Sequence, residues 1–191
     1  MSDMKQVFRR NGFTLIEMLV VISIIGILSG ILYASFGKSK DLARNNAIQA
    51  ELKEVQLALH LYKSQNGRYP EAETSCDSTS GTVITADSSA CGATPIIADL
   101  IPDFIGELSL TTDSSNSNCN FSYKTDAGGT WYKYTAERCA AGVTGTTGVQ
   151  AGDEFARCLA TCPGGTCDAA YQATPAFYES YAVYSAGGEC E

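Results

Sequence analysis

Two groups of residues in this chain are of types that do chemistry. The first is a lone acid in an apolar run. From Phe13 to Phe36 the only charged residue is Glu17, just beyond a Gly12-Phe13 step. A carboxylate at the centre of a membrane helix costs ~2.5–3.5 kcal/mol, and less near an end, so such a residue needs a partner and usually has a role. The run holds no second charge. Its partner is therefore expected to come from elsewhere.

The second group is cysteine. Cys76, Cys91, Cys119, Cys139, Cys158, Cys162, Cys167 and Cys190 all follow the apolar run. An even number in an oxidising compartment reads as disulfides, each adding ~2–4 kcal/mol. Connectivity is not readable, since eight cysteines allow on the order of 100 pairings. Proximity favours Cys76–Cys91 and Cys119–Cys139. The rival is a membrane-anchored zinc or redox protein, with Cys158, Cys162, Cys167 and one further thiolate as ligands. The spacings differ from the usual C-x₂-C pair and the one histidine, His60, is distant in sequence, so disulfides are preferred and no metal is assigned. Asp113, Asn116, Asn118 and Asn120 are loosely spaced oxygen ligands. They lack the Gly and terminal Glu of an EF-hand loop, so calcium is a minor alternative to a solvated loop. No G-x-S-x-G, H-E-x-x-H, Walker or G-x-G-x-x-G pattern is present, and the expectation is that the chain is not an enzyme.

These residues need elements to position them. A helix over Phe13–Phe36 would reach ~36 Å at ~1.5 Å per residue, enough to cross ~30 Å of hydrocarbon. Gly26, Ser29 and Gly30 are small enough to let helices approach. Lys5, Arg9 and Arg10 precede the run against Asp3 alone, which sets the N-terminus in the cytoplasm and the rest outside. Beyond it the pattern stays helical but becomes amphipathic: Ile48, Leu52, Val55, Leu59 and Tyr62 share one face. The helix is expected to stop at Asn66-Gly67, before Pro70. His60 falls beside the stripe and is read as a solvent-facing or boundary residue. Thr82–Thr85 is a candidate short strand. Residues 120–124 and 130–135 flank a Gly-rich turn and read as a β-hairpin, and residues 177–184 alternate as a third strand. The ten tyrosines and Trp131 are expected to pack the sheet. Residues 139–175 read as a Cys-stapled insert.

At Arg9-Arg10-Asn11-Gly12-Phe13-Thr14-Leu15-Ile16-Glu17-Met18-Leu19-Val20-Val21-Ile22 the chain resembles the type IV pilin and type II secretion pseudopilin superfamily. Asn66-Gly67-Arg68-Tyr69-Pro70 resembles the turn that closes the long helix in major pseudopilins and many pilins. The resemblance implies cleavage after Gly12 by a prepilin peptidase, then N-methylation of Phe13. It also implies that Glu17 meets the N-terminal ammonium of a neighbouring subunit, which supplies the partner the run lacks. Ala34 stands where many relatives carry Pro, and the resemblance does not extend over residues 139–175.

The expected architecture is therefore α+β. A leader (1–12) precedes a transmembrane or filament-core helix (13–36) and its amphipathic continuation (37–66). A globular β domain (67–191) with the Cys-rich insert follows. The expected function is a structural subunit of a pilus or pseudopilus, with a minor adhesive pilin or a DNA-uptake pilin as alternatives. Expected partners are the prepilin peptidase, an inner-membrane assembly platform, membrane lipid before assembly and further copies in a homo-oligomeric helical filament. The globular part would lie outside the cell membrane, and later in a periplasmic or extracellular filament. The formal charge of −8, more negative still without the leader, argues against direct nucleic-acid binding, which draws on Lys and Arg.

Overall fold

The computed structural model describes residues 13–72, 83–87, 96–106, 119–144, 147–159, 162, 167 and 169–191. Helix α1 spans Leu15–Asn66. No proline falls within it, and Gly26, Gly30 and Gly37 are all accommodated. It ends where a left-handed residue becomes available: Gly67 has φ 77°, and its N–H donates to the Lys63 carbonyl at 2.8 Å. The Asn66 side-chain amide caps the Tyr62 carbonyl at 3.0 Å. Glycine at this position closes the last turn without the Cβ penalty of the left-handed region.

The chain divides into two compact units, residues 1–40 and 41–191. In the first, the apolar side chains of α1 are exposed, Leu15 by 84% and Ile27 by 67%. α1 is long and apolar enough to cross a membrane. Ser23 satisfies its hydroxyl within the helix, donating to the Leu19 carbonyl at 2.8 Å.

In the second unit the predicted stripe is the core-facing side of α1: Ile48, Leu52, Val55, Leu59 and Tyr62 are all buried. Each side chain so buried stabilises by roughly 1.5–3 kcal/mol. They share a core with Phe121, Tyr123, Tyr132 and Tyr134. These belong to a four-stranded antiparallel sheet in the order β1-β2-β3-β4. Its strands are β1 Val83–Asp87, β2 Asn120–Asp126, β3 Tyr132–Glu137 and β4 Tyr181–Tyr184. β1 pairs along β2, so the short run seen near Thr82–Thr85 lies a residue or two further along the chain.

The hairpin β2–β3 is in register with Tyr123 opposite Tyr134 and Lys124 opposite Lys133. Its turn is tied by Asp126, whose Oδ1 accepts from the Thr130 amide at 2.7 Å and whose Oδ2 accepts from the Thr130 hydroxyl at 3.0 Å. The segment after α1 docks on this turn. The Tyr69 amide donates to the Gly129 carbonyl at 2.8 Å, the Tyr123 hydroxyl donates to the Pro70 carbonyl at 2.8 Å, and the Tyr69 ring meets Tyr132 edge-on at 4.6 Å. The Asn66–Pro70 motif therefore does two jobs: it ends the helix and fastens that end to the hairpin.

Both faces of β3 are buried from Tyr132 to Ala136. Tyr132 and Tyr134 face the helix. Lys133 and Thr135 alternate to the other side, where the insert covers them. That insert has its own small core of Cys158, Cys167 and Phe177, with Tyr171 and Tyr178 against it. Among the described residues, three disulfides join Cys119–Cys139, Cys158–Cys167 and Cys162–Cys190. The first ties the residue before β2 to the second residue after β3. Cys76 and Cys91 lie outside the described residues. Asn45 of α1 clasps the insert with both ends of its amide: Nδ2 donates to the Ala141 carbonyl at 3.0 Å and Oδ1 accepts from the Ala141 amide at 2.8 Å.

One expectation is corrected. Residues 177–184 were expected to form one strand, but α2 (Ala169–Gln172) is followed by α3 (Pro175–Tyr178), and β4 begins only at Tyr181. Pro175 explains the difference: its fixed φ and missing N–H suit the first turn of a helix. Thr174 before it is extended, with φ −88° and ψ 151°, as a residue preceding proline prefers. Phe177 then packs in the insert's core rather than in the sheet.

Candidate functional site

The amino-terminal end of α1 is built from Thr14 and Glu17. Thr14 stands one residue before the helix and Glu17 in its first turn. The Glu17 amide donates to Thr14 Oγ1 at 3.3 Å. In return Glu17 Oε2 accepts from the Thr14 amide at 3.4 Å and from the Thr14 hydroxyl at 3.3 Å. This reciprocal pair is a capping box: a Thr and a Glu three residues apart satisfy each other's amides at a helix start. A carboxylate there also faces the positive end of the helix dipole. Glu17 thus has a structural partner inside its own chain. The T-x-x-E spacing of Thr14-Leu15-Ile16-Glu17 announces the box in the sequence, and reading Glu17 only as an unpaired charge overlooks it.

Around this polar pair the surface is apolar. Phe13 is 74% exposed and Ile16 71% exposed. Both hydrogen bonds to Glu17 fall on one oxygen, Oε2. Chemically, the arrangement is an anion held at a fixed place on the open end of an apolar helix. Gly12 lies outside the described residues.

The remaining sequence candidates are dispersed. Of the oxygen-ligand set, Asn120 opens β2, while Asp113, Asn116 and Asn118 lie outside the described residues. Cys158, Cys162 and Cys167 are engaged in two different disulfides. Among the described residues no group of three or more His, Cys, Asp or Glu is placed to hold a metal ion. His60 is exposed and packs edge-on against Tyr69 and Tyr132 at 6.0 and 5.9 Å.

Lys133 is the titratable group that sequence reasoning missed. It is 1% exposed. Its ammonium donates to the Glu191 main-chain oxygen, sits 5.8 Å from the Tyr184 ring centre, and lies 3.5 Å from Cys167 Sγ and 3.8 Å from Cys158 Sγ. Burial, with Arg157 and Lys124 adding repulsion, pulls its pKa down from 10.5 to about 7, against the attraction of Glu191 and Glu189. Strand alternation places Lys133 opposite to Tyr132 and Tyr134, but only the fold reveals that this second face is covered.

The depressed pKa carries a stability signature. Between about pH 7 and 10 the unfolded chain keeps a proton on Lys133 that the folded chain releases, so stability rises with pH across that window. Below about pH 7 both states are charged and Lys133's cost is constant and at its largest. Buried tyrosines act oppositely, but only above about pH 10: burial raises the pKa of Tyr123, Tyr132 and Tyr134, so folding resists their ionisation. Lys133→Met is therefore expected to raise stability at pH 7 by up to a few kcal/mol, as replacement of a buried charge by an apolar group often does. It should also flatten the pH 7–10 rise, measured by denaturant unfolding of the oxidised protein at several pH values.

Residues 8–33 match the family described as the prokaryotic N-terminal methylation motif. The type II secretion system core protein G of Klebsiella pneumoniae is 37% identical over 65 residues, 34% of this chain and 46% of that protein. Its counterpart in Aeromonas hydrophila is 36% identical over 69 residues, 36% of this chain and 48% of that protein. That of Pectobacterium carotovorum subsp. carotovorum is 35% identical over 66 residues, 35% of this chain and 42% of that protein. The chain thus spans somewhat less than half the length of these curated relatives. No solved structure gives a significant match. Over its amino-terminal third, where the methylation motif of residues 8–33 carries the Thr14-Glu17 box and the start of an exposed apolar helix, this chain is similar to the type II secretion system core proteins G.

Proposed function

We propose that this chain is a structural subunit of a type II secretion pseudopilus, or of the closely similar type IV pilus. It is made as a precursor anchored in the inner membrane by Phe13–Phe36, with the leader inside and the globular part outside. Prepilin peptidase cleaves after Gly12 and Phe13 is N-methylated. An assembly platform then draws subunits from the lipid into a helical filament, and Glu17 of each meets the new amino group of its neighbour. The carrying observation is that the motif of residues 8–33 covers the start of a helix whose exposed apolar part, up to Phe36, holds a single acid, Glu17, fixed in its first turn. The curated relatives favour the pseudopilus over a surface pilus or an adhesive or DNA-uptake pilin. The reading needs no cofactor and no catalytic role.

Cleavage is tested by Gly12→Ala in cells that carry the peptidase. The expected result is accumulation of uncut precursor, seen as a species of higher mass on a gel. Normal processing of the variant would remove Gly12 as the cleavage residue.

A further inference from the structure

The Cys158–Cys167 disulfide differs from the other two described disulfides in its surroundings. Cys139 Sγ faces the Asn120 and Glu137 carbonyls, and Cys162 Sγ faces the Glu189 carbonyl. Both sulfurs of Cys158–Cys167 face the Lys133 amine, at 3.8 and 3.5 Å, and Cys167 Sγ also lies 3.8 Å from the Glu191 main-chain oxygen. All three residues are almost fully buried. A disulfide gains little from a cation, so in the oxidised protein the two sulfurs do little to offset the burial of Lys133, whose partners there are the Glu191 main-chain oxygen and the Tyr184 ring. A thiolate gains a great deal from one: thiols beside lysine ionise well below the ordinary cysteine range. The chemistry of this cluster makes sense in the reduced domain, before the bridge exists.

We propose that Lys133 is a thiol-activating residue that makes Cys158–Cys167 close ahead of Cys162–Cys190 during oxidative folding. In the reduced domain, docking of the insert on β3 brings the Lys133 amine to the Cys167 thiol. There the protonated amine holds the Cys167 thiolate as an ion pair, the thiol proton passing to solvent. The Cys167 thiolate attacks one sulfur of a disulfide oxidant, forming a mixed disulfide and expelling one oxidant thiolate. The Cys158 thiol then loses its proton and its sulfur attacks Cys167 Sγ, expelling the second oxidant thiolate. Two cysteine thiols are oxidised, one oxidant disulfide is reduced to two thiols, and the two cysteine protons end on those thiols. The charges facing the amine are Arg157 and Lys124, which disfavour its protonation, and Glu189 and Glu191, which favour it. The thiolate adds a negative charge at 3.5 Å, beside the Glu191 main-chain oxygen that already accepts from this ammonium. Correct pairing is thereby coupled to native docking, because the amine reaches Cys167 only once β3 and the insert have met.

The test uses the full chain in detergent, fully reduced in denaturant and transferred to native buffer with reduced and oxidised glutathione. Samples are quenched with an alkylating reagent at intervals and the pairs are mapped by mass spectrometry. In the wild type Cys158–Cys167 should form before Cys162–Cys190. In Lys133→Met its formation should slow by roughly tenfold at pH 7, the change in thiolate fraction that such an amine confers, while Cys119–Cys139 forms at an unchanged rate. Lys133→Arg should restore most of the rate, because it keeps the charge. The differences should vanish in urea. Equal rates in wild type and Lys133→Met, or a difference that persists in urea, would overturn the proposal. Should Lys133→Met fail to fold, the pH dependence of alkylation in partially reduced wild type decides: Cys167 should ionise well below Cys190, and a Cys167 that titrates as high as Cys190 overturns it.

Discussion

Glu17→Ala is expected to leave cleavage intact and to abolish filament assembly, with the mature subunit stranded in the membrane fraction. The observed cap and the proposed assembly role converge on this side chain, and a second substitution separates them. Glu17→Gln keeps a residue that can complete the capping box with Thr14 but removes the charge. If the anion draws in the neighbouring amino terminus, Gln should be nearly as defective as Ala. Leaving one member of an ion pair buried without its partner costs roughly 3–5 kcal/mol, which at about 1.4 kcal/mol per decade is a loss of on the order of a hundredfold or more in association. If capping alone matters, Gln should assemble like wild type, and Thr14→Ala should be as damaging as Glu17→Ala. A lost N-cap costs only ~1 kcal/mol, so Thr14→Ala is expected to assemble at moderately reduced yield. Sheared-filament recovery from cells that express each variant at equal level gives the ranking.

Gly129→Ala is expected to destabilise the globular unit strongly. Gly129 has φ 61°, and an added Cβ would lie 2.5 Å from the Tyr69 carbonyl oxygen and 3.2 Å from its nitrogen. Neither contact is with a flexible side chain. The strand turn and the helix-ending segment would have to separate, breaking the hydrogen bond from Tyr69 to Gly129 and unseating the Tyr69 ring from Tyr132. A left-handed residue with a Cβ costs ~1–2 kcal/mol by itself, and the clash adds to it, for an expected total of roughly 2–4 kcal/mol. Gly152→Ala is the comparison. Gly152 has φ 99° but its Cβ would meet nothing within 4 Å, so only the conformational part applies. Thermal unfolding of the oxidised proteins should give a much larger drop for Gly129→Ala, and equal drops would show that the docked turn matters little.

The fold is legible wherever one periodicity reports one burial. The stripe Ile48–Tyr62 marks the core side of α1 because a helix presents one face to one sheet. The β2–β3 hairpin is legible because alternation and a Gly-rich turn agree. Legibility fails where burial is two-sided or where a local signal competes. Lys133 alternates as a solvent-facing residue should, yet the insert covers that face of β3, and nothing in the local pattern announces a covering made by residues far along the chain. Residues 177–180 alternate like a strand, but Pro175 starts a helical turn and wins. Connectivity of the cysteines is a tertiary property: Cys162 bonds Cys190, across a separation of 28, while the nearer Cys158 and Cys167 bond each other. At the candidate assembly site the apolar run and its single acid are plain in the sequence. The capping box is equally plain to a reader who looks for helix starts as well as for charges.

The whole account depends on what begins the mature chain. Intact-mass and N-terminal peptide mass spectrometry of protein purified from cells that carry the peptidase addresses it directly. The predicted result is a chain that starts at Phe13 and bears one added methyl on its amino group. A mature protein that still carries residues 1–12, in cells that process other substrates of the peptidase, would contradict it.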